Sequence, residues 1–119
     1  MNTEIQNLKL GQSNEITARN HVDANGNPAG GYAHGKGLCV SFQDGPRGKN
    51  ADGNLLPANG AFVEDLLVAA RQRLAFFQDS TFAHDANAEC IRHLDYCIEA
   101  LNNRAIERAR RGVLGANLK

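Results

Sequence analysis

The last third of the chain carries an apolar stripe with the spacing of a long α-helix. Between residues 85 and 111 the apolar positions recur at intervals of three and four, which suits packing along another helix. We therefore predict a helix from about Asp85 to Arg111, roughly 40 Å long at 1.5 Å per residue, which ends at Gly112. Its stripe consists of Ile91, Leu94, Ile98, Leu101 and Ala105.

A second helical stripe precedes this one. We predict its helix from about Phe62 to Gln78, because apolar residues again recur at intervals of three and four. The connection from Asp79 to His84 is short, so the two helices should form an antiparallel hairpin. One hairpin leaves too much of both stripes exposed, and we therefore expect a homo-oligomer. The stripe of the first helix consists of Val63, Leu66, Leu67, Ala70, Leu74 and Phe77.

The N-terminal half of the sequence predicts strands. Leu38, Val40 and Phe42 alternate with small or polar neighbours, which is the periodicity of a strand with one apolar face. Residues 1–37 are polar and rich in turns, and we place one further short strand near their start, around Ile5, Leu8 and Leu10.

The fold class that follows is α+β. A small antiparallel sheet in the N-terminal half precedes a long antiparallel two-helix hairpin. We expect a single domain over residues 1–119, with a turn-rich sheet region at 1–60, the hairpin at 61–112 and a tail at 113–119.

Charge is balanced overall but not along the chain. The 13 Lys and Arg residues equal the 13 Asp and Glu residues, yet five basic residues and one acidic residue lie from Arg104 onward. This distribution favours a compact anion site over a surface that coats duplex nucleic acid.

We expect a cytosolic protein with reduced thiols and no membrane contact. No apolar run reaches the roughly 18–20 residues of a membrane span, no secretory signal is evident, and the three cysteines lack CxxC spacing.

The C-terminal arginines have two interpretations. Arg104, Arg108 and Arg111 continue the spacing of the apolar stripe, so we expect them to share its face rather than the solvent face. In one interpretation they complement the helix dipole and extend into water. In the other, their guanidinium groups line a subunit interface and bind phosphates in bidentate fashion.

Phe77 and Asn87 are candidates for recognising a base. A phenyl ring can stack on a purine, and an Asn amide can pair with a base edge. The alternative is that Phe77 is a core residue and Asn87 an ordinary polar residue of the first helical turn. Asn87 and Arg104 are about 25 Å apart along one helix. They can therefore line one pocket only if a second subunit runs antiparallel to the first.

Catalytic and metal-binding patterns are lacking in the sequence. Residues 30–36 fit GxxxxGK, but Gly37 replaces the Ser or Thr that holds magnesium, so we interpret this segment as a flexible glycine loop. The four histidines do not have the spacing of metal ligands. No Ser/His/Asp or Cys/His set stands out. We expect no metal, no cofactor and no enzymatic activity.

Three segments resemble the first family of phage Thoeris anti-defence proteins. These segments are VSFQDGPRG, FVEDLLVAARQRLAFFQ and ALNNRAIERARRGVLGANLK, and the resemblance covers about residues 38–118. The resemblance implies a helical hairpin shared with an anti-CBASS family, and dimers that assemble further into hexamers as trimers of dimers. It also implies a sponge in the cytoplasm of the infected host. Such a sponge sequesters glycocyclic ADP-ribose isomers, and in some members cyclic oligonucleotides, and releases them intact.

The same resemblance implies which residues bind the messenger. The family's base-stacking Phe corresponds to Phe77, its helix-start Asn to Asn87, and its two C-terminal arginines to Arg104 and Arg108. The arginine that follows the strand corresponds to Arg47. The sequence departs from the family at Asp44, where many relatives have Asn, and at residues 116–117, where a Thr is more usual. These departures bear on ligand preference more than on the fold.

Two other functions fit the residues taken alone. One is a small phage regulator that binds nucleic acid through residues 104–119, which the zero net charge and the sparse lysines disfavour. The other is a structural module whose helices only mediate oligomerisation, which the position of Arg108 within the stripe disfavours.

Overall fold

A computed structural model describes residues 2–119 and contains a four-stranded sheet followed by two α-helices. The α+β fold class predicted from the sequence is therefore confirmed. The described residues form two compact units, one made of residues 2–61 with Gly115–Lys119 and the other of Phe62–Leu114. The expectation of a single domain stays a prediction.

The sheet is an antiparallel meander in which consecutive strands are neighbours. Its order is β1-β2-β3-β4. The predicted strand at residues 38–42 is confirmed as β4. The short strand expected around Ile5, Leu8 and Leu10 is confirmed only in part, because β1 contains Leu8 and not the other two. Two strands between them were not predicted. The bounds are β1 Gln6–Leu8, β2 Ile16–Val22, β3 Pro28–Gly35 and β4 Leu38–Phe42.

The register of the sheet gives it one apolar and one polar face. Ala18 lies opposite Ala33, and Ala33 opposite Val40. Val40 is 8% exposed, and it is the only buried apolar residue within residues 2–119. Because successive residues of a strand alternate between the two faces, Tyr32 and its cross-strand partner Ser41 lie on the other face.

The glycine segment belongs to β3 and is not the flexible loop expected from the sequence. A Cβ added at Gly31, whose φ is 136°, would lie 2.2 Å from the carbonyl oxygen of Arg19 on β2. A glycine inside a strand often marks a close approach of another backbone. Gly31 therefore allows the backbones of β2 and β3 to approach each other closely.

The hairpin has the predicted helices with almost the predicted bounds, α1 Val63–Gln78 and α2 Asp85–Arg110. The Asp65 carboxylate accepts a hydrogen bond from the backbone N–H of Phe62 at 2.8 Å, which satisfies one donor at the start of α1. After α2, Gly112 adopts a φ of 76°, the left-handed conformation common after helices. Within residues 2–119, neither helix is both long and apolar enough to cross a bilayer.

Contacts between the helices confirm that they run antiparallel. Arg71 pairs with Asp95 at 2.5 Å, and Gln78 bonds to Asn87 at 3.0 Å nearer the connection. The predicted stripe of α2 is half-buried along its whole length. The predicted stripe of α1 is only partly covered, because Val63 is 54% exposed and Ala70 is also exposed. The half-buried face of α1 instead includes Leu67, Arg71, Leu74 and Gln78.

Candidate functional site

Two phenylalanines and an arginine form an aromatic cluster in the last turns of α1. The rings of Phe76 and Phe77 meet edge to face with centroids 5.9 Å apart. The guanidinium carbon of Arg73 lies 5.2 Å from the centroid of Phe76 and 4.9 Å from that of Phe77. Such a cation–π arrangement is attractive. Phe77 is half-buried rather than a fully covered core residue, so its π system lies near the surface beside a positive charge.

Asn87 is held at the same end of the hairpin by a hydrogen-bond network. Its side-chain nitrogen donates to Gln78 Oε1 at 3.0 Å and to the carbonyl oxygen of Phe82 at 3.3 Å. Gln78 Oε1 also accepts from the backbone N–H of His84 at 2.7 Å. His84 caps α2, since its Nδ1 accepts from the backbone N–H of Ala86 at 2.9 Å. The side chain of Asn87 is thus fixed rather than free to rotate.

Arg108 is buried at the other end of α2. It is 8% exposed, whereas charged side chains are seldom buried without a partner. Its Nη2 donates to the carbonyl oxygen of Val113 at 3.0 Å, and the backbone N–H of Val113 donates to the carbonyl oxygen of Arg108 at the same distance. Arg108 therefore holds the turn that follows the helix, in addition to any role toward a ligand.

Arg104 and Arg111 are exposed, so the prediction that they share the apolar face is wrong for this single chain. Arg104 directly precedes half-buried Ala105, and neighbouring residues on a helix point about 100° apart. Arg111 forms an ion pair with Glu107. Of the three arginines, only Arg108 has its side chain in the covered stripe.

Arg47 lies in the first unit, in the loop that follows β4. Its Nε donates to the carbonyl oxygen of Leu56 at 2.7 Å. The neighbouring Gly48 accepts a hydrogen bond from the backbone N–H of Leu56 and donates one to the carbonyl oxygen of Gly115, both at 3.1 Å. The C-terminal segment is therefore bonded to the loop that positions Arg47.

The candidate residues form three groups. Phe77 and Asn87 are linked through Gln78. Arg104 and Arg108 lie toward the far end of α2, about 25 Å and about 32 Å from Asn87 along the helix. Arg47 belongs to the other compact unit. The sequence interpretation did not include Arg73 and Gln78. The signal for Arg73 was its spacing, because a residue four positions before Phe77 lies on the same side of a helix. The role of Gln78 depends on the path of the loop between the helices, residues 79–84, which cannot be predicted from the spacing of apolar residues.

Other titratable groups of α2 form an exposed cluster. The Glu89 carboxylate contacts Arg92 at 2.5 Å and His93 at 2.8 Å, and these hydrogen bonds hold the pKa of Glu89 below its ordinary value. Within residues 2–119, no three His, Cys, Asp or Glu side chains come together as metal ligands would. The Glu89 carboxylate is therefore paired with side chains of its own helix.

Comparison with known proteins finds similarity between the chain and a phage protein. No protein-family model matches the sequence. Thoeris anti-defense 1 of Bacillus phage SBSphiJ7 is 39% identical to the chain over 85 residues. The aligned region covers 71% of the chain and 56% of the relative, so the chain spans little more than half the length of the relative. This similarity supports the chain's membership of the Thoeris anti-defense 1 family.

Proposed function

We propose that the protein is a phage anti-defence protein that binds a nucleotide second messenger of bacterial immunity and holds it without cleaving it. The messenger class is glycocyclic ADP-ribose, with cyclic oligonucleotides as further ligands. The protein would act in the cytoplasm of the infected host, where such messengers are made. The name of its phage relative supports the anti-defence role.

The observation that carries the proposal is the division of recognition groups between the two ends of α2. The first turn holds Asn87 beside the aromatic cluster, and the last turns hold Arg104 and Arg108. An aromatic ring and an amide suit a base, because every base has a π face and a hydrogen-bonding edge. Guanidinium groups suit phosphates, because their planar fork matches two oxygens at once.

A second subunit would complete the pocket. About 25 Å of helix separates Asn87 from Arg104, which is too far for one small nucleotide to touch both. If two copies of α2 run antiparallel, the first turn of one comes beside the last turns of the other. Exposed apolar side chains on the hairpin, including Val63, Phe76 and Ile106, give such a contact its apolar surface. We propose homodimers that assemble further as a trimer of dimers.

Sequestration needs tight binding and slow release. Stacking contributes roughly 1–3 kcal/mol per base, and each charge-assisted hydrogen bond contributes about 1.5–3 kcal/mol. A few such contacts, made by side chains already fixed in place, lower the concentration of free messenger when the protein is in excess.

The test is an uptake and release experiment. The protein is incubated with a panel of cyclic nucleotides, separated from unbound ligand and denatured, and what it releases is identified by chromatography and mass spectrometry. We expect glycocyclic ADP-ribose to be released intact. An altered product would indicate an enzyme, and no uptake of any cyclic nucleotide would overturn the proposal.

Arg110→Ala is the matched control for this experiment. Arg110 is an exposed arginine of the same helical turns as Arg104, and it is not one of the residues assigned to the messenger. Uptake should therefore persist in Arg110→Ala and fall in Arg104→Ala.

A further inference from the structure

We propose that Gln78 is a positioning residue that fixes the amide of Asn87 so that only its oxygen faces a ligand. The site would then select a base whose edge offers an N–H donor. This inference rests on the proposed function, since it specifies which part of a messenger the Asn87 end of the site accepts.

The orientation of Gln78 is set by the backbone. The N–H of His84 lies 2.7 Å from one terminal atom of the Gln78 side chain. A backbone N–H can only donate, so this terminal atom must be the amide oxygen. The opposite orientation would place the NH2 group of Gln78 against another donor.

The orientation of Asn87 follows from that of Gln78. One terminal atom of its side chain lies 3.0 Å from Gln78 Oε1 and 3.3 Å from the carbonyl oxygen of Phe82. Both neighbours are acceptors, so this atom must be the nitrogen, and its two hydrogens serve these two bonds. Turning the amide over would bring Asn87 Oδ1 against two oxygens.

The remaining polar atom of the side chain is therefore an acceptor. Within residues 2–119, no hydrogen bond to Asn87 Oδ1 is formed, and the residue is half-buried. Phe77 directly precedes Gln78, and a phenyl ring that stacks on a base would not distinguish its edge. An exocyclic amine or a ring N–H can satisfy Oδ1, whereas an edge that only accepts leaves it unpaired. We expect a preference of about tenfold for the base with the donor.

Two substitutions of Gln78 distinguish a role in orienting Asn87 from a general contribution to the stability of the fold. Gln78→Glu keeps an oxygen at the same place, so it can still accept from His84 and Asn87. Gln78→Leu keeps similar bulk but removes the shorter of the two acceptor contacts of Asn87 Nδ2. The amide is then held only by the Phe82 carbonyl oxygen at 3.3 Å, so it turns over more readily. Gln72→Leu makes the same change at an exposed position of α1 and serves as the control.

The first measurement needs no ligand. Hydrogen exchange of the Asn87 side-chain NH2 group, followed by NMR, should be slow in the wild type, in Gln78→Glu and in Gln72→Leu. It should be clearly faster in Gln78→Leu. Equal exchange rates in Gln78→Leu and the wild type would overturn the positioning role.

The second measurement compares two ligands that differ only at the base. Calorimetry is performed with glycocyclic ADP-ribose and with its analogue in which unsubstituted purine replaces adenine, so that the edge has no donor. We expect about tenfold weaker binding of the analogue in the wild type and in Gln78→Glu, and a clearly smaller difference in Gln78→Leu. A full tenfold preference retained in Gln78→Leu would overturn the inference.

The two measurements distinguish the inference from the proposed function. If the wild type binds neither ligand, the proposed function and the base preference both fail. The exchange rates still decide whether Gln78 positions Asn87, because they are measured on the protein alone.

Discussion

Arg104 and Arg108 are four residues apart on α2, yet their side chains lie in different surroundings. Arg104 is exposed, whereas Arg108 is buried and bonded to the Val113 carbonyl oxygen. Arg108 therefore has a structural role in addition to the proposed phosphate contact, whereas Arg104 has only the proposed phosphate contact. Substitutions at the exposed residue report on ligand binding alone, and those at the buried residue report on both.

We expect Arg104→Ala to weaken messenger binding by roughly tenfold or more at an unchanged melting temperature, because a charge-assisted contact is lost from an exposed side chain. Arg108→Ala should weaken binding and also lower stability by about 1–3 kcal/mol, since it leaves the Val113 carbonyl oxygen without this donor. Arg108→Lys should recover binding only in part, because an ammonium lacks the planar fork. Calorimetry and thermal melts on all three variants test this. Wild-type affinity in both alanine variants would contradict the phosphate role.

Phe77 can be tested as a stacking residue by two replacements. If the ring stacks on a base, Phe77→Ala loses about 1–3 kcal/mol of binding. Phe77→Leu keeps the apolar bulk, so it should retain near-normal thermal stability and still bind poorly. A core role predicts the reverse order, in which alanine costs about 3–5 kcal/mol of stability and leucine restores binding. Melting temperature and affinity measured on both variants decide between the two roles.

At the scale of the elements, the hairpin is held in register by an ion pair between its helices. Arg71 contacts Asp95 at 2.5 Å, and this hydrogen bond holds the pKa of Asp95 below its ordinary value. A carboxyl group with a lowered pKa stabilises the folded state above its unfolded pKa, and this contribution is lost as the pH falls through the folded pKa. Both side chains are partly exposed, so the effect should be small.

We expect Asp95→Asn to melt slightly below the wild type at about pH 7, with the difference disappearing as the pH falls well below about 4. Glu99→Gln is the control, because Glu99 is an exposed carboxylate of the same helix. The same loss in Glu99→Gln would show that the effect does not come from the pair of Arg71 and Asp95. A difference for Asp95→Asn that persists in acid would indicate that the asparagine acts through something other than the ion pair.

The elements differ in how well the sequence predicts them. The two helices and β4 were predictable because large apolar residues repeat at the helical or strand period. β3 was not, because Gly30, Gly31 and Gly35 are poor strand formers that serve a close backbone approach. The candidate site residues were named from the sequence and its family resemblance, and their roles stay predictions. Their hydrogen-bond partners were not predictable, since the bond between Gln78 and Asn87 depends on the path of residues 79–84.

At the scale of the whole molecule, the exposed part of the α1 stripe bears on assembly. Light scattering at micromolar concentration should give a multiple of the 12.9 kDa chain mass. Val63→Asp should reduce the mass, because a charge cannot be buried in an apolar contact at low cost. Val68→Asp is the matched control, a valine of the same helix with nearly the same exposure, 53% against 54%, outside the predicted stripe. If the wild type has the mass of a single chain, the proposal of a pocket shared by two subunits is wrong.

The bond between Gly48 and Gly115 has a consequence for the order in which the protein is made. Residues 2–61 share a compact unit with Gly115–Lys119, and the whole hairpin is translated between them. At roughly 5–20 residues per second, the ribosome needs about 3–11 s to extend the chain from Ala61 to Gly115. The hairpin can form meanwhile from local contacts. The loop that carries Arg47 can form its hydrogen bond to Gly115 only when Gly115 has left the ribosome. A nascent chain stopped at Leu114 would therefore contain both helices but lack this hydrogen bond.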